Sequence, residues 1–171
     1  KFELDAALDL LEEAGCQVNR TTQIAKFPPA LVEERVRRCP PTVAVYSRDG
    51  RHDMTLGEGR IYFGSSGGMD VIDLETGQRR PGVLQDVSDS TRLADALDSL
   101  HNVYPAVSWV NDVPFEANSQ AMFVEVLKNT TKSSLAAYLS SAPGEVEDIV
   151  KIFQIAAGGA EALRKRPIAI S

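Results

Sequence analysis

Histidine and cysteine are scarce in this 171-residue chain, at two each, and that scarcity removes several chemistries at once. Cys16 and Cys39 lie in separate predicted elements with no close-spaced ligand partner, and His52 and His101 stand alone in sequence. The spacing therefore offers no zinc site and no disulfide framework, and the two thiols read as reduced. No Ser-His-Asp set and no close pair of carboxylates appears, which argues against hydrolase chemistry carried by these residues. An excess of basic charge is missing too. The 18 Lys and Arg against 24 Asp and Glu leave a net charge of −6, the wrong sign for a nucleic-acid surface or an anionic membrane. The two basic knots, Arg35, Arg37, Arg38 and Arg164, Lys165, Arg166, each close a predicted helix, where cations complement the dipole. No apolar run approaches the roughly 18 residues that span a bilayer, and no basic-then-apolar start suggests a leader, so the chain is expected to be cytoplasmic. What is present, 43% hydrophobic and 25% charged residues, is the ordinary make-up of a folded domain with a core.

Periodicity divides the chain into three stretches. Residues 1–41 are expected to form an N-terminal helical cap. Leu4, Leu8 and Leu11 share one face of a helix closing at Gly15, and Pro28-Pro29 opens a second helix. That second helix carries Glu33 and Glu34 in its first turn, Leu31, Val32 and Val36 on its apolar side, and Pro40-Pro41 as its stop, in keeping with proline's place at helix starts and beyond helix ends. Residues 42–82 switch to short, turn-bounded β segments around Val43/Val45, Met54/Leu56, Ile61/Phe63 and Val71/Leu74, expected to be antiparallel. Residues 83–171 carry a helix over 84–100 and then alternate: strand 104–110, helix 115–128, strand 134–139, helix 145–157, strand 167–170. The strand starts are about 30 residues apart, the spacing of βα units. The expected fold class is α/β, a partial TIM-type β/α barrel preceded by a helical cap and short antiparallel strands. A doubly wound sheet is the rival, disfavoured because no Gly-x-Gly-x-x-Gly follows a first strand. The last strand has no helix after it to cover it, so the segment reads as the N-terminal part of a longer barrel.

In a barrel the chemistry sits on the loops after the C-terminal strand ends. The first such loop is Asn111-Asp112-Val113-Pro114. Asp112 could hold a cation or serve as a base, and the same residues equally suit a helix-entry turn. The second is Ser140-Ser141-Ala142-Pro143-Gly144, whose hydroxyls could bind substrate polar atoms or cap the helix that begins at Glu145. The third place, Phe63-Gly64-Ser65-Ser66-Gly67-Gly68, lies between two predicted strands and lacks a phosphate loop's lysine. Its glycines could let backbone approach a substrate closely, or simply form a tight hairpin. Tyr62, Phe63, Trp109 and Tyr138 are the aromatics nearest these loops. Aromatic faces attract quaternary ammonium groups, and period-two burial explains the same residues equally well. The candidate substrate-binding positions are thus Gly67, Gly68, Asn111, Asp112 and Ser140; no catalytic, cofactor-binding or metal-ligating residue emerges.

The order of motifs carries more information than any one of them. The chain reads Phe27-Pro28-Pro29-x-Leu31-Val32-Glu33-Glu34, Tyr46-Ser47-Arg48-Asp49, Arg60-Ile61-Tyr62-Phe63-Gly64-x-x-Gly67-Gly68, and Asp73-Leu74-Glu75-Thr76-Gly77-x-x-Arg80-Pro81. It continues with Arg92-Leu93-Ala94-Asp95-Ala96-Leu97, Asp112-Val113-Pro114 and Lys128-Asn129-Thr130-Thr131-Lys132. This succession resembles the trimethylamine:corrinoid methyltransferase family over nearly the whole chain. The resemblance implies a β/α barrel much longer than these residues. It also implies methyl transfer from trimethylamine, or from a quaternary amine such as glycine betaine in pyrrolysine-free members, to the Co(I) of a separate corrinoid protein. The partners implied are that corrinoid protein as methyl acceptor and a small methylated amine; no cofactor is implied to bind this chain directly. Pyrrolysine, where a member has it, belongs to the later half of the barrel. The Gly67-Gly68 turn and Asp112 match family motifs without an assigned catalytic role. Two further readings stand beside the enzyme. One is a non-catalytic methylated-amine binding module; the other is a structural half-barrel whose last strand pairs with a second copy into a homo-oligomer. The 171-residue chain alone is expected to be inactive.

Overall fold

The computed structural model describes residues 1–68, 70–135 and 144–170. The chain divides after Pro41 into two compact units, Lys1–Pro41 and Thr42–Ser171. In the first, α1 (Asp5–Glu13) buries only Leu8. Gly15, at φ +96°, takes the left-handed step that ends it. The N–H groups of Gly15 and Cys16 then reach back to the carbonyls of Glu12 (3.0 Å) and Leu11 (2.9 Å), the closure that a glycine in this position permits. An antiparallel hairpin follows, β1 (Gln17–Asn19) and β2 (Ile24–Lys26), with Gln17 opposite Lys26. The expected helical cap did not include it, because three-residue strands are too short to show a period. Then comes α2 (Pro29–Arg38), begun on proline and ended on three arginines.

The second unit opens with an antiparallel pair, β3 (Thr42–Val45) and β4 (Met54–Gly57), in which Val45 faces Met54. A second hairpin pairs β5 (Asp70–Ile72) with β6 (Arg79–Pro81). From there the chain runs through α3 (Leu84–Ala96), β7 (Asn102–Val103), a 3₁₀ turn (Phe115–Ala117), α4 (Asn118–Asn129), β8 (Ser133–Leu135), α5 (Glu145–Ala157), α6 (Ala160–Lys165) and β9 (Ala169–Ile170). Strands β7, β8 and β9 form one parallel sheet in that order. Residues 63–68 lie along the outer side of β7, bridged in parallel at Gly64 to Asn102 and at Gly68 to Val107.

The boundaries differ from the sequence expectation for identifiable reasons. The strand expected over 104–110 makes ladder pairs only at Asn102–Val103. Pro105 has no N–H, and the backbone of Ala106 and Ser108 turns instead to Gly68, at 2.8 Å for each bond. The helix expected to reach residue 100 stops at Ala96, because the buried Lys132 ammonium donates to the carbonyls of Ala94 and Leu97, both at 2.9 Å. The helix expected from 115 is 3₁₀ until Asn118, whose side chain turns inward. Residues 136–139 of the strand expected over 134–139 lie outside the described residues.

Helices cover one face of this sheet, and α4 joins the two halves of the core. Its Met122 and Val126 pack with Val87 and Ala94 of α3 and with Val103, Val107 and Val110. One position further on, Phe123 and Leu127 pack with Ile149 and Phe153 of α5 and with Ile168. The i, i+4 spacing of each pair puts it on its own stripe. At the N-terminal ends of the strands the β3–β4 connection is tied in by its backbone, Tyr46 N–H to Pro167 (3.2 Å) and Arg48 N–H to Thr131 (2.7 Å). The Arg48 guanidinium donates to the carbonyls of Leu127 (2.5 Å) and Thr130 (2.6 Å), closing the C-terminus of α4 with a cation where the dipole favours one.

Candidate functional site

Opposite that end, the 63–68 segment, the end of the β5–β6 hairpin and the loop after β7 meet, and four of the five candidate positions fall in this contact. Gly68 exchanges backbone hydrogen bonds with Ala106 and Ser108. A Cβ on Gly67 would meet the carbonyl oxygen of Pro105 at 2.4 Å, and one on Gly82 would meet Val107 at 2.6 Å. These glycines bring the chain close to itself. Asn111 grips Gly82 twice: its N–H donates to the Gly82 carbonyl at 2.9 Å and its side-chain amide at 3.2 Å. Asp112 accepts the Leu84 N–H at 2.9 Å, placing a carboxylate at the N-terminus of α3, where an otherwise unpaired donor and the helix dipole both favour it. Ser140, the fifth candidate, lies outside the described residues, as does Tyr138.

Several neighbours that the sequence did not single out complete the arrangement. Asn118 is fully buried; its amide donates to the carbonyls of Val110 (2.7 Å) and Val113 (3.3 Å), and its oxygen accepts the Val110 N–H at 3.2 Å. One side chain thus holds the whole Asn111–Pro114 loop. Arg80, within the Thr76-Gly77-x-x-Arg80-Pro81 motif, grips Asp86 with two bonds of 2.8 and 2.7 Å. Asp86 also accepts the Val83 N–H at 2.9 Å. The Arg80 hydrogen bonds hold the Asp86 carboxyl below its ordinary range, more than offsetting its partial desolvation. The signal for Asn118 was faint but present: an amide, a poor helix former, at the opening of a helical stretch.

The aromatics separate. Trp109 stacks against Phe115, ring centroids 5.0 Å apart at 35°, beside Asn111 and Asp112. Tyr62 sits at the other end of the sheet, edge-on to His101 at 5.1 Å, and there the Phe63 N–H donates to His101 Nδ1 at 3.2 Å. What gathers at the C-terminal strand ends is therefore an amide, a carboxylate and an aromatic pair, framed by glycines. Among the described residues no group of three or more His, Cys, Asp or Glu could hold a metal ion, and no helix is long and apolar enough to cross a membrane.

The described parallel strands run in chain order, β7, β8 and β9, with Asn111, Asp112 and the Trp109–Phe115 pair at their C-terminal ends. The sequence model of the trimethylamine methyltransferase (MTTB) family matches residues 1–171, and the chain belongs to that family. It is 28% identical over 180 residues to trimethylamine methyltransferase MttB of Desulfitobacterium hafniense (strain DSM 10664 / DCB-2), covering 98% of this chain and 34% of that protein. It is 26% identical over 175 residues to the glycine betaine methyltransferase of Desulfitobacterium hafniense (strain Y51), covering 100% of this chain and 35% of that protein. The chain thus spans about a third of the length of both relatives.

Proposed function

We propose that these residues are a portion of a β/α-barrel methyltransferase that moves a methyl group from a trimethylamine- or glycine betaine-type amine to the Co(I) of a separate corrinoid protein. Methyl transfer is supported by membership of the family and by the two methyltransferase relatives, and the barrel by strand order. The 63–68 segment, β7, β8 and β9 lie side by side in chain order and all parallel. Between the 63–68 segment and β7 comes α3, between β7 and β8 comes α4, and between β8 and β9 come α5 and α6. A doubly wound sheet reverses its order at a switch point, whereas a barrel keeps adding neighbours on one side. In this reading the first barrel strand is the 63–68 segment, and β5–β6 is an insertion in its βα loop.

The chemistry asks little of acids or bases. When a quaternary ammonium, or a tertiary amine protonated at nitrogen, gives up a methyl group, the C–N bond breaks, its electron pair stays on nitrogen, a neutral amine departs, and the methyl carbon bonds to the electron pair of Co(I). The protein's share is to desolvate the cation and aim the methyl group. A carboxylate at Asp112 and the aromatic faces of Trp109 and Phe115 suit a cation at such a mouth. The test is methyl transfer by the full-length protein, with trimethylamine and glycine betaine as donors and a Co(I) corrinoid protein as acceptor. Methylation of the corrinoid is expected from at least one donor. No transfer from any tertiary or quaternary methylamine would sink the proposal.

A further inference from the structure

We propose that Asn118 is a positioning residue of the methyl-donor site: one buried amide sets the loop that carries Trp109, Asp112 and Phe115, and so decides how tightly a methylated ammonium is held there. The proposal rests on the reading of these residues as part of an amine methyltransferase. Asn118 opens α4 and is fully buried. Its side chain does for Val110 what a neighbouring strand would do: the oxygen accepts the Val110 N–H at 3.2 Å and the amide donates to the Val110 carbonyl at 2.7 Å. The same amide nitrogen donates to the Val113 carbonyl at 3.3 Å. Both ends of residues 110–113 are thereby pinned to one side chain, and Asn111 and Asp112 between them are exposed.

The aromatic pair belongs to the same arrangement. Trp109 immediately precedes the pinned stretch and Phe115 follows it after Pro114, and their rings meet with centroids 5.0 Å apart. A loop free to open would carry them apart. The bonds of Asn111 to Gly82 and of Asp112 to Leu84 fix where the loop sits against the start of α3; Asn118 fixes its shape. That shape matters because a quaternary ammonium donates no hydrogen bond, so a carboxylate and two ring faces hold it only by standing at set distances from it. Asparagine suits the task, since its short side chain carries both a donor and an acceptor. Aspartate would set a carboxylate against two carbonyls, and an apolar residue would leave buried backbone groups of Val110 and Val113 without these bonds.

Kinetics and amine binding of the full-length protein test it in two variants. Asn118→Asp keeps the shape and the acceptor but loses the donated bonds; Asn118→Ser is smaller, with room for a water, and serves should the first not fold. Arg48→Ala is the control: it loosens the opposite ends of the strands and is expected to lower the unfolding midpoint with the donor KM unchanged. In each Asn118 variant the KM of trimethylamine or glycine betaine, and its Kd by calorimetry without corrinoid protein, are expected to rise about tenfold. The KM for the corrinoid protein should stay the same. A residue that only stabilised the fold would lower kcat through loss of folded enzyme and leave the donor KM where it was. An unchanged donor KM and Kd in a folded variant would therefore overturn the proposal and leave methyl transfer standing. So would an equal rise in Arg48→Ala, a parallel rise in the KM for the corrinoid protein, or failure of both Asn118 variants to fold. If the unmodified protein neither binds nor demethylates either amine, the methyltransferase reading fails and this proposal fails with it.

Discussion

A methyl group added at Gly67 would sit 2.4 Å from the Pro105 carbonyl oxygen and 3.0 Å from the Tyr104 ring, and both obstacles belong to the chain itself. Gly67→Ala is therefore expected to destabilise the second unit by about 1–3 kcal/mol, the usual range for overpacking. A thermal unfolding midpoint lowered by several degrees would show it, and an unchanged midpoint would mean that the 63–68 segment can move away from 104–105. Asp112 allows a finer separation. Asp112→Asn keeps an acceptor for the Leu84 N–H but loses the charge; Asp112→Ala loses both and is expected to cost about 1 kcal/mol as a missing helix cap. If the carboxylate also attracts a methylated ammonium, the full-length Asn variant should be nearly as stable as the original yet bind trimethylamine or glycine betaine more weakly. Equal binding by calorimetry would leave Asp112 with its capping role alone.

At the scale of elements, the β3–β4 connection is held at the N-terminal strand ends by charges that must stay ionised. Burial pushes the Asp53 carboxyl up, but the Ser47 N–H and Arg166 outweigh it and hold it below the usual range. The same balance acts on Asp49, where desolvation is outweighed by the Arg51 N–H, the Thr131 hydroxyl and the Arg51 guanidinium. A carboxyl depressed in the folded state adds stability that is fully present above its unfolded pKa, near 3.9, and is lost as pH falls toward the folded value. The urea midpoint should accordingly be level from neutrality to about pH 5 and fall below about pH 4. Asp53→Asn should lessen that acid loss while lowering the neutral midpoint. Arg48 ties the same connection to the end of α4. Arg48→Ala would leave two carbonyls without their charged donor and is expected to cost about 1–3 kcal/mol, read from the same denaturation curves.

For the whole molecule, the division after Pro41 makes a direct prediction. Residues 42–171 expressed alone should keep one cooperative unfolding transition, because the apolar clusters around α4 lie entirely within them. A broad, non-cooperative transition would show that the first unit is needed for the second to fold.

Much of this was legible in the sequence. The helices at 5–13, 29–38, 118–129 and 145–157 follow from apolar spacing and from proline and glycine punctuation, which act over one or two turns and need no tertiary partner. The candidate loop at Asn111-Asp112 was legible because it follows an apolar run and precedes a proline. What the sequence could not tell was whether Asp112 faced a ligand or a helix end, since that depends on where Leu84, 28 residues earlier, arrives in space. Nor could it tell that the glycine-rich 63–68 segment lies parallel to β7 rather than turning back as a hairpin. A local pattern reports the period of a segment, while pairing direction is set by the crossover of α3. The chain's own residues determined which elements form; only the tertiary structure, by bringing Gly68 to Val107 and Asn111 to Gly82, decided which of them share a site.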